Sequence, residues 1–507
     1  MSLKKSIFQN KNMLLLMLVA MAMNFLSSCV NNKIVINSNT RYKPIPAIET
    51  KLYKSPQERE GQASSLALGV AISGGGSRAQ YFGTGVLIAL DEIKKDQSSF
   101  LNEVDYFSTV SGGGFAAGYY LTLKKNNILD KYPSYFDYWK SDARKKRFQE
   151  FLFKGASAIT IAKLPGYERN AIFKSYPSMI DHQLLQLGKP DLEDKPIDTM
   201  FLSDFFIPVE SSDKKVSFPI FVTNGTIYNN GERLPFMPHI INALRINGSL
   251  LPKKQFEIKK GYGFPLSYAI SGSASFPGVL PMLKLSIKNT DSVIRVIDGG
   301  AVDNLGYATL LELLYLDRVS LDKKRMLVID CGGLGNEVQQ QSNGRVSYAA
   351  LISKALMYTV DINILYADNN IKYIANYYHI NQNNIKRIGI STIKNKFFEL
   401  EKSADQKSVQ ELEALKKNIL KRRMNWTDVY NDFVSEPMFR GYANDNISEV
   451  PSDLFKNFSL KQVFELYELS SQVDTKIKIY DWEKEILVLA GRYAVSMEQV
   501  AISDLIK

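Results

Sequence analysis

Two residues of this chain stand where their chemistry would be usable, Ser111 and Asp298, each at a glycine turn after an apolar run. Ser111 lies in DYFSTVSGGGFAAGYYL, Asp105 to Leu121, where a short β-type run gives way through Gly112, Gly113 and Gly114 to an apolar helical pattern. A serine on a sharp strand-to-helix turn presents its hydroxyl for attack on a carbonyl carbon, and glycines beside it permit the bent backbone and a close approach. The nucleophile pattern G-x-S-x-G is met at Gly113, while Thr109 occupies the place of its first glycine. The motif alone therefore leaves Ser111 as either a nucleophile or a turn serine.

A second glycine turn precedes it. SGGGSR, Ser73 to Arg78, follows an apolar run and opens a helical pattern, so its backbone N–H groups can hold negative charge. One use is dinucleotide binding, since Gly74, Gly76 and Ala79 fit G-x-G-x-x-A. That fingerprint also needs an acid about 20 positions on, at the end of the second strand. Asp91 and Glu92 instead fall inside the predicted helix, and the second strand ends at Thr109, Val110 and Ser111. The other use is an oxyanion hole, where fixed N–H donors meet the charge that develops on a carbonyl oxygen under attack. It requires a nucleophile nearby, and adjacent parallel strands place Ser111 there.

A hydroxyl nucleophile needs a base. Asp298 opens DGGAVDNLG at the end of an apolar run, which predicts a carboxylate at the same sheet edge as Ser111. The chain has 3 histidines, His182, His239 and His379. Ser111, Asp298 and His379 run in the order of an α/β-hydrolase triad, although His379, in NYYHINQNN, has no glycine-turn context.

The elements that must position these residues are legible in outline. Leu66 begins LALGVAISGGGSRAQYFGTGVLIALDEI, a strand, a glycine turn and an amphipathic helix, followed by the Ser111 strand. Strand, helix and strand with short loops imply a right-handed parallel crossover and an α/β layered domain. VSFPIFVTNG, SVIRVIDGG and RMLVIDCGG are further strand candidates, each ending in glycine. Between the Ser111 helix and Val216, SYFDYWKSDARKKRFQEFLFKGA mixes aromatics and bases at helical spacing and predicts a helical cap, with ordinary packing helices as the alternative. In KSVQELEALKKNILKRRM, Val409, Leu412, Leu415 and Ile419 mark one helix face.

Taken together, these blocks resemble the patatin-like phospholipase family. Gly74-Gly75-Gly76-Ser77-Arg78 matches its G-G-G-x-[RK] oxyanion loop, Ser111-Gly112-Gly113 its serine motif and Asp298-Gly299-Gly300 its D-G-[GA] aspartate. AISGSASFPGVLP, Ala269 to Pro281, resembles the family's alanine-serine-proline segment. The resemblance implies a patatin-like three-layer α/β/α fold with a mainly parallel central sheet, helical insertions and a helical C-terminal region. It implies catalysis by a Ser111/Asp298 dyad without histidine, an oxyanion loop of Gly74, Gly75, Gly76 and Arg78, and neither cofactor nor metal. The implied reaction is phospholipase A type cleavage of glycerophospholipid acyl esters through an acyl-enzyme. Three alternatives stand beside it: a non-catalytic lipoprotein of the same fold, an acyltransferase using the same residues, and a triad esterase using His379.

The N-terminus predicts where the chain goes. Lys4, Lys5 and Lys11 precede an apolar run, Met13 to Leu26, which is shorter than the roughly 20 residues of a spanning helix and reads as an export signal. The following LSSC resembles the lipobox of bacterial lipoproteins, which implies cleavage before Cys29 and a lipid on that cysteine. Cys331 is the other of 2 cysteines, so acylation of Cys29 leaves no intrachain disulfide. The expected organisation is a signal peptide over 1–28, a tether over 29–65, a catalytic domain over 66–395 with a cap insertion at about 125–215, and a mainly helical region over 396–507. With 507 residues, 45% of them hydrophobic, the chain can bury a large core. The net charge of +11 drops by the three lysines of residues 1–28, and a basic mature chain suits anionic lipid headgroups. Beyond short runs such as Lys145 to Arg147 and Lys421 to Arg423, no basic cluster with interleaved stacking aromatics appears, which favours lipid headgroups over a nucleic-acid partner. The expected location is the bacterial envelope, the outer membrane where there are two, since Val30 replaces the aspartate associated with inner-membrane retention.

Overall fold

A computed structural model describes residues 47–49, 53, 66–95, 98–141, 200–206, 218–246, 264–277, 280, 282–332, 367–422, 425–442, 446–473 and 479–507. The signal peptide, Cys29, most of the tether, His182 and, apart from residues 200–206, the cap beyond Ser141 lie outside the described residues. Pro46–Lys507 forms one compact unit.

Its centre is an eight-stranded sheet. Strands β1 (Ala67–Ile72), β2 (Tyr106–Val110) and β3 (Ile220–Ile227) run side by side and parallel. Each is buried along its whole length, as expected of apolar runs covered on both faces. The short β4 (Arg233–Pro235) folds back on β3. Strands β5 (Leu283–Ser286) and β6 (Val293–Asp298) form an antiparallel pair, and β6 joins β3 antiparallel. On the other side of β1, β7 (Lys324–Asp330) and β8 (Ile385–Gly389) are parallel to it. The order is β8-β7-β1-β2-β3-β6-β5, a mainly parallel sheet flanked by helices.

The antiparallel entry of β6 is where local pattern and topology part. Its half-buried alternation, unlike the continuous burial of β1 to β3, marks a strand with one face open. Running against β3, it descends until Asp298 lies opposite Gly225, one residue beyond Asn224, which pairs with Val110. Asp298 thus reaches the level of Ser111 from the opposite direction.

Helix α1 (Gly76–Glu92) follows β1, and α2 (Gly112–Lys125) follows β2. The sequence predicts an amphipathic α1, yet Ser77 through Leu90 are all buried. The reason is burial on two opposite faces. Gly83 sits against Ile72 and Ala116, whereas Gly85, 200° further round the helix, sits against the main chain of Val488. Helix α3 (Tyr135–Lys140), the start of the expected cap, packs inward, with the Trp139 indole N–H donating to Ser448 Oγ at 2.9 Å. Helix α4 (Leu266–Ser273) is wholly buried beside β3 and β6, and α5 (Tyr307–Leu316) covers the other face of the sheet, its Leu310 lying on Gly69 of β1.

The C-terminal region consists largely of helices, among them α6 (Ile390–Ser403), α7 (Gln406–Arg422), α8 (Leu460–Gln472) and α9 (Asp481–Met497). On α7, Leu412 is buried and Val409, Leu415 and Ile419 are half-buried, the face that the sequence marks. The boundary expected between 395 and 396 falls within α6, because charge content rises there while the helix that carries it continues from β8. Helix α9 is the element against the outer face of α1. A Cβ on Gly85 would lie 2.2 Å from the Val488 carbonyl oxygen, and one on Gly491 2.3 Å from that of Phe82, so the two backbones meet where neither helix has a side chain. At the end of α9, Arg492 is fully buried and donates to the carbonyls of Ser448 and Val450 at 2.7 and 2.6 Å, with Phe136 of α3 facing its guanidinium at 3.8 Å.

Candidate active site

Ser111 occupies the single residue between β2 and α2, with φ 49° and ψ −120°. A side chain at positive φ outside the left-handed helical well costs about 1–3 kcal/mol and persists only where surrounding contacts over-determine it. Those contacts are present. Gly114 N–H donates to Ser111 O at 2.9 Å and Ser111 N–H to Ser273 Oγ at 2.9 Å. The turn also requires Gly112, where an added Cβ would lie 2.0 Å from the Gly76 carbonyl oxygen. Thr109, the departure from the motif, is buried at the end of β2 and turns its hydroxyl to Val222 O at 3.4 Å, beside Gly114. Its side chain is thereby taken up by the neighbouring strand and helix.

Asp298 lies across β3 from this turn. Its Oδ1 accepts Gly300 N–H at 2.8 Å, and the Ser111 hydroxyl lies near enough to favour its charged form. Asp298 is 5% exposed and Ser111 7%. Burial pushes the Asp298 carboxyl up to about 6, against the opposing effects of the Gly300 N–H and, more weakly, of the Ser111 hydroxyl. The group is therefore a carboxylate at neutral pH, yet a much better proton acceptor than an exposed aspartate. That is the balance a general base for a hydroxyl requires.

The glycine loop lies alongside. A Cβ on Gly74 would come within 3.3 Å of the Ser111 Cβ. Gly74 N–H is already committed to Asn304 O at 2.9 Å, so of the three predicted donors Gly75 and Gly76 are left, and among the described residues their N–H groups have no acceptor. Both sit at the start of α1, where the helix field adds to the donors. Arg78 is placed differently: its Nε donates to Cys331 O at 2.9 Å and its Nη1 to Val473 O at 3.1 Å. It ties the loop to the end of β7 and to the C-terminal region. Cys331 itself is buried, which pushes its thiol up to about 12.

The histidines fall elsewhere. His379 is exposed in the turn that precedes β8, and since β8 is parallel to β1 and β2 this is the sheet edge opposite to the one that Ser111 ends. His239 bonds Tyr53 Oη at 2.8 Å, holding a described residue of the tether, and its burial lowers its proton affinity.

Two residues that hold the site, Asn224 and Ser273, were not singled out by sequence pattern, although each lies in a stretch that was. Asn224 is fully buried and its side chain is fully used. Its amide donates to Ser108 Oγ at 3.0 Å and Thr109 O at 3.1 Å, and its Oδ1 accepts from Thr309 Oγ1 at 2.6 Å. The signal was present as a polar residue closing the otherwise apolar run VSFPIFVTNG.

A mainly parallel sheet between helical layers, with a strained serine turn facing a buried aspartate and a glycine loop, defines a patatin-like α/β/α architecture. Residues 70–311 match the family model Patatin-like phospholipase. Among solved structures it is similar to human GIVD cytosolic phospholipase A2, with 11% identity and a TM-score of 0.37 over 90% of this chain. The chain spans 62% of that structure's length, and at this level the likeness informs neither fold nor activity. No curated protein matches the chain.

Proposed function

We propose that the protein is a serine lipid acyl hydrolase of phospholipase A type, in which Ser111 is the nucleophile and Asp298 its base. The observation that carries this reading is a serine on a strained turn with a buried carboxylate beside it and two glycine N–H groups that have no acceptor among the described residues. Asp298 takes the hydroxyl proton as Ser111 Oγ attacks the ester carbonyl. The oxygen that becomes negative meets Gly75 and Gly76 N–H. Collapse expels the lipid alkoxide, which recovers the proton from Asp298, and leaves an acyl-Ser111 ester. Water, deprotonated by the same carboxylate, then releases the fatty acid and restores the serine. Acyl transfer to another alcohol would use the same residues, and product analysis in the presence of glycerol distinguishes it.

The substrate we infer is a glycerophospholipid, on the family's character and on a mature chain that remains basic once residues 1–28 are removed. The test is release of fatty acid from phosphatidylcholine and phosphatidylglycerol vesicles, triacylglycerol emulsions and short water-soluble esters. Vesicle hydrolysis abolished by Ser111→Ala supports the reading, and activity confined to the short esters counts against it. We further propose that lipid on Cys29 holds the protein on the envelope membrane, the outer one where there are two. Two or more acyl chains anchor stably, at about 0.8 kcal/mol per buried methylene. Cys29→Ser is expected to leave the membrane fraction or to remain uncleaved, and unchanged attachment and processing would contradict lipidation.

A further inference from the structure

We propose that Ser273 is a positioning residue that holds the nucleophile turn and the base turn in register, its hydroxyl fixing Ser111 and its main chain fixing the loop of Asp298. This rests on the Ser–Asp reading above. The argument begins with the direction of one proton. The Ser273 hydroxyl donates to Asn224 O at 2.6 Å, so its single proton is spent there and its oxygen can only accept toward Ser111 N–H, at 2.9 Å. On the other side, Gly299 N–H donates to Ser273 O at 3.1 Å, and Asp298 N–H to Ser275 O at 3.0 Å. The end of α4 therefore grips both catalytic turns, which come from strands that are not neighbours.

Three features make this more than packing. Ser273 is fully buried, and its hydrogen-bond partners in both turns and at Asn224 are main-chain groups. The N–H it accepts belongs to the residue held at positive φ, so the bond acts on the strained turn itself. Its anchor is also rigid. A Cβ on Gly299 would lie 2.1 Å from Asn224 O, and the Asn224 side chain is bonded to β2 through Ser108 and Thr109 and to α5 through Thr309. Without the Ser273 hydroxyl, Ser111 N–H is left buried and unpartnered, and the turn can relax by moving Ser111 Oγ away from Asp298. A shift of an ångström at a reacting atom can cost on the order of 10² in rate.

The test compares Ser273→Ala with Ser273→Thr, which keeps the hydroxyl, and with Ser271→Ala. The Ser271 hydroxyl bonds Tyr268 O within the same helix and touches neither turn. Two quantities are measured on folded protein: the second-order rate of fluorophosphonate labelling and its pH dependence. Ser273→Ala is expected to label about 10–100-fold more slowly. Its acid limb is expected to move to higher pH, because burial raises the Asp298 carboxyl and the nearby Ser111 hydroxyl is one of the two influences opposing that rise. Among the described residues no charged group is among the influences on Asp298, and the partners of Ser273 are uncharged. Ser273→Thr is expected to restore both quantities and Ser271→Ala to change neither. An acid limb unmoved in Ser273→Ala, with a rate reduced only as far as the folded fraction is reduced, would overturn the proposal. If Ser273→Ala does not fold, Ser273→Cys, of the same connectivity, somewhat larger and a poor acceptor, takes its place with the same two outcomes. Wild-type protein that never labels Ser111 would instead refute the underlying dyad.

Discussion

Asp298 and Asp330 end two strands of one sheet with nearly the same residues, VIDGG and VIDCGG, and make the same local turn. In each, Oδ1 accepts the N–H two residues on, Gly300 or Gly332, at 2.8 Å. They differ in what lies across the strand. Asp330 Oδ2 meets the Arg387 guanidinium of β8 at 2.5 Å, whereas the Asp298 carboxylate meets the uncharged hydroxyl of Ser111. A carboxylate paired with a guanidinium is a structural tie. One left buried beside a hydroxyl suits the role of base that we propose for it, and the difference is made by topology, since β6 enters antiparallel and stops level with Ser111.

The sharpest way to break this contrast is through the nucleophile. Ser111→Ala is expected to lower ester hydrolysis by roughly 10⁴-fold or more and to abolish fluorophosphonate labelling while the fold is kept, as checked by circular dichroism. Asp298→Asn is expected to cost about 10² to 10⁴ in turnover, and Asp330→Asn less than about tenfold. The second variant should instead lose stability in denaturant titration, by about 1.5–3 kcal/mol, the scale of a hydrogen bond to a charged group. Equal losses of turnover in the two variants would erase the distinction.

The pH dependence sharpens it further. In the proposed mechanism ionised Asp298 is the active form, so kcat/KM should rise through about pH 6 and level off above it. Stability should move the other way. A carboxyl whose folded pKa is raised stabilises the fold fully below its unfolded pKa near 4, and that contribution is lost as pH climbs through 6. Asp298→Asn should therefore lose less stability than wild type between pH 4 and 8, as thermal unfolding would record. The smallest expected effect is at the histidines. His379→Ala should keep activity within about tenfold, because His379 lies at the opposite sheet edge. A folded variant as inactive as Ser111→Ala would require a triad.

Much of this arrangement was legible in the sequence because it is local. The strand-turn-helix units around Gly74–Gly76 and Ser111 announce themselves through apolar runs ending in glycine, and Asp298 through the same signature. What the sequence did not carry is non-local. The antiparallel direction of β6 depends on its neighbours, and the commitment of Gly74 N–H to Asn304 depends on a loop more than 200 residues away. The double burial of α1 depends on α9, from the far end of the chain. Arg78 illustrates the limit of a motif. Its position in G-G-G-S-R is plain, but its partners, Cys331 O and Val473 O, belong to segments that no motif joins.

The central claim, that Ser111 is activated by Asp298, is tested most directly by locating and timing one covalent event. Wild type, Asp298→Asn and His379→Ala are reacted with a fluorophosphonate across pH 4 to 9 and the labelled peptide is sequenced by mass spectrometry. The account predicts the label on Ser111, a wild-type rate rising through about pH 6, a rate lower by about 10² or more in Asp298→Asn, and His379→Ala within about tenfold of wild type. Label on another residue, or a rate unchanged in Asp298→Asn but abolished in His379→Ala, would contradict it.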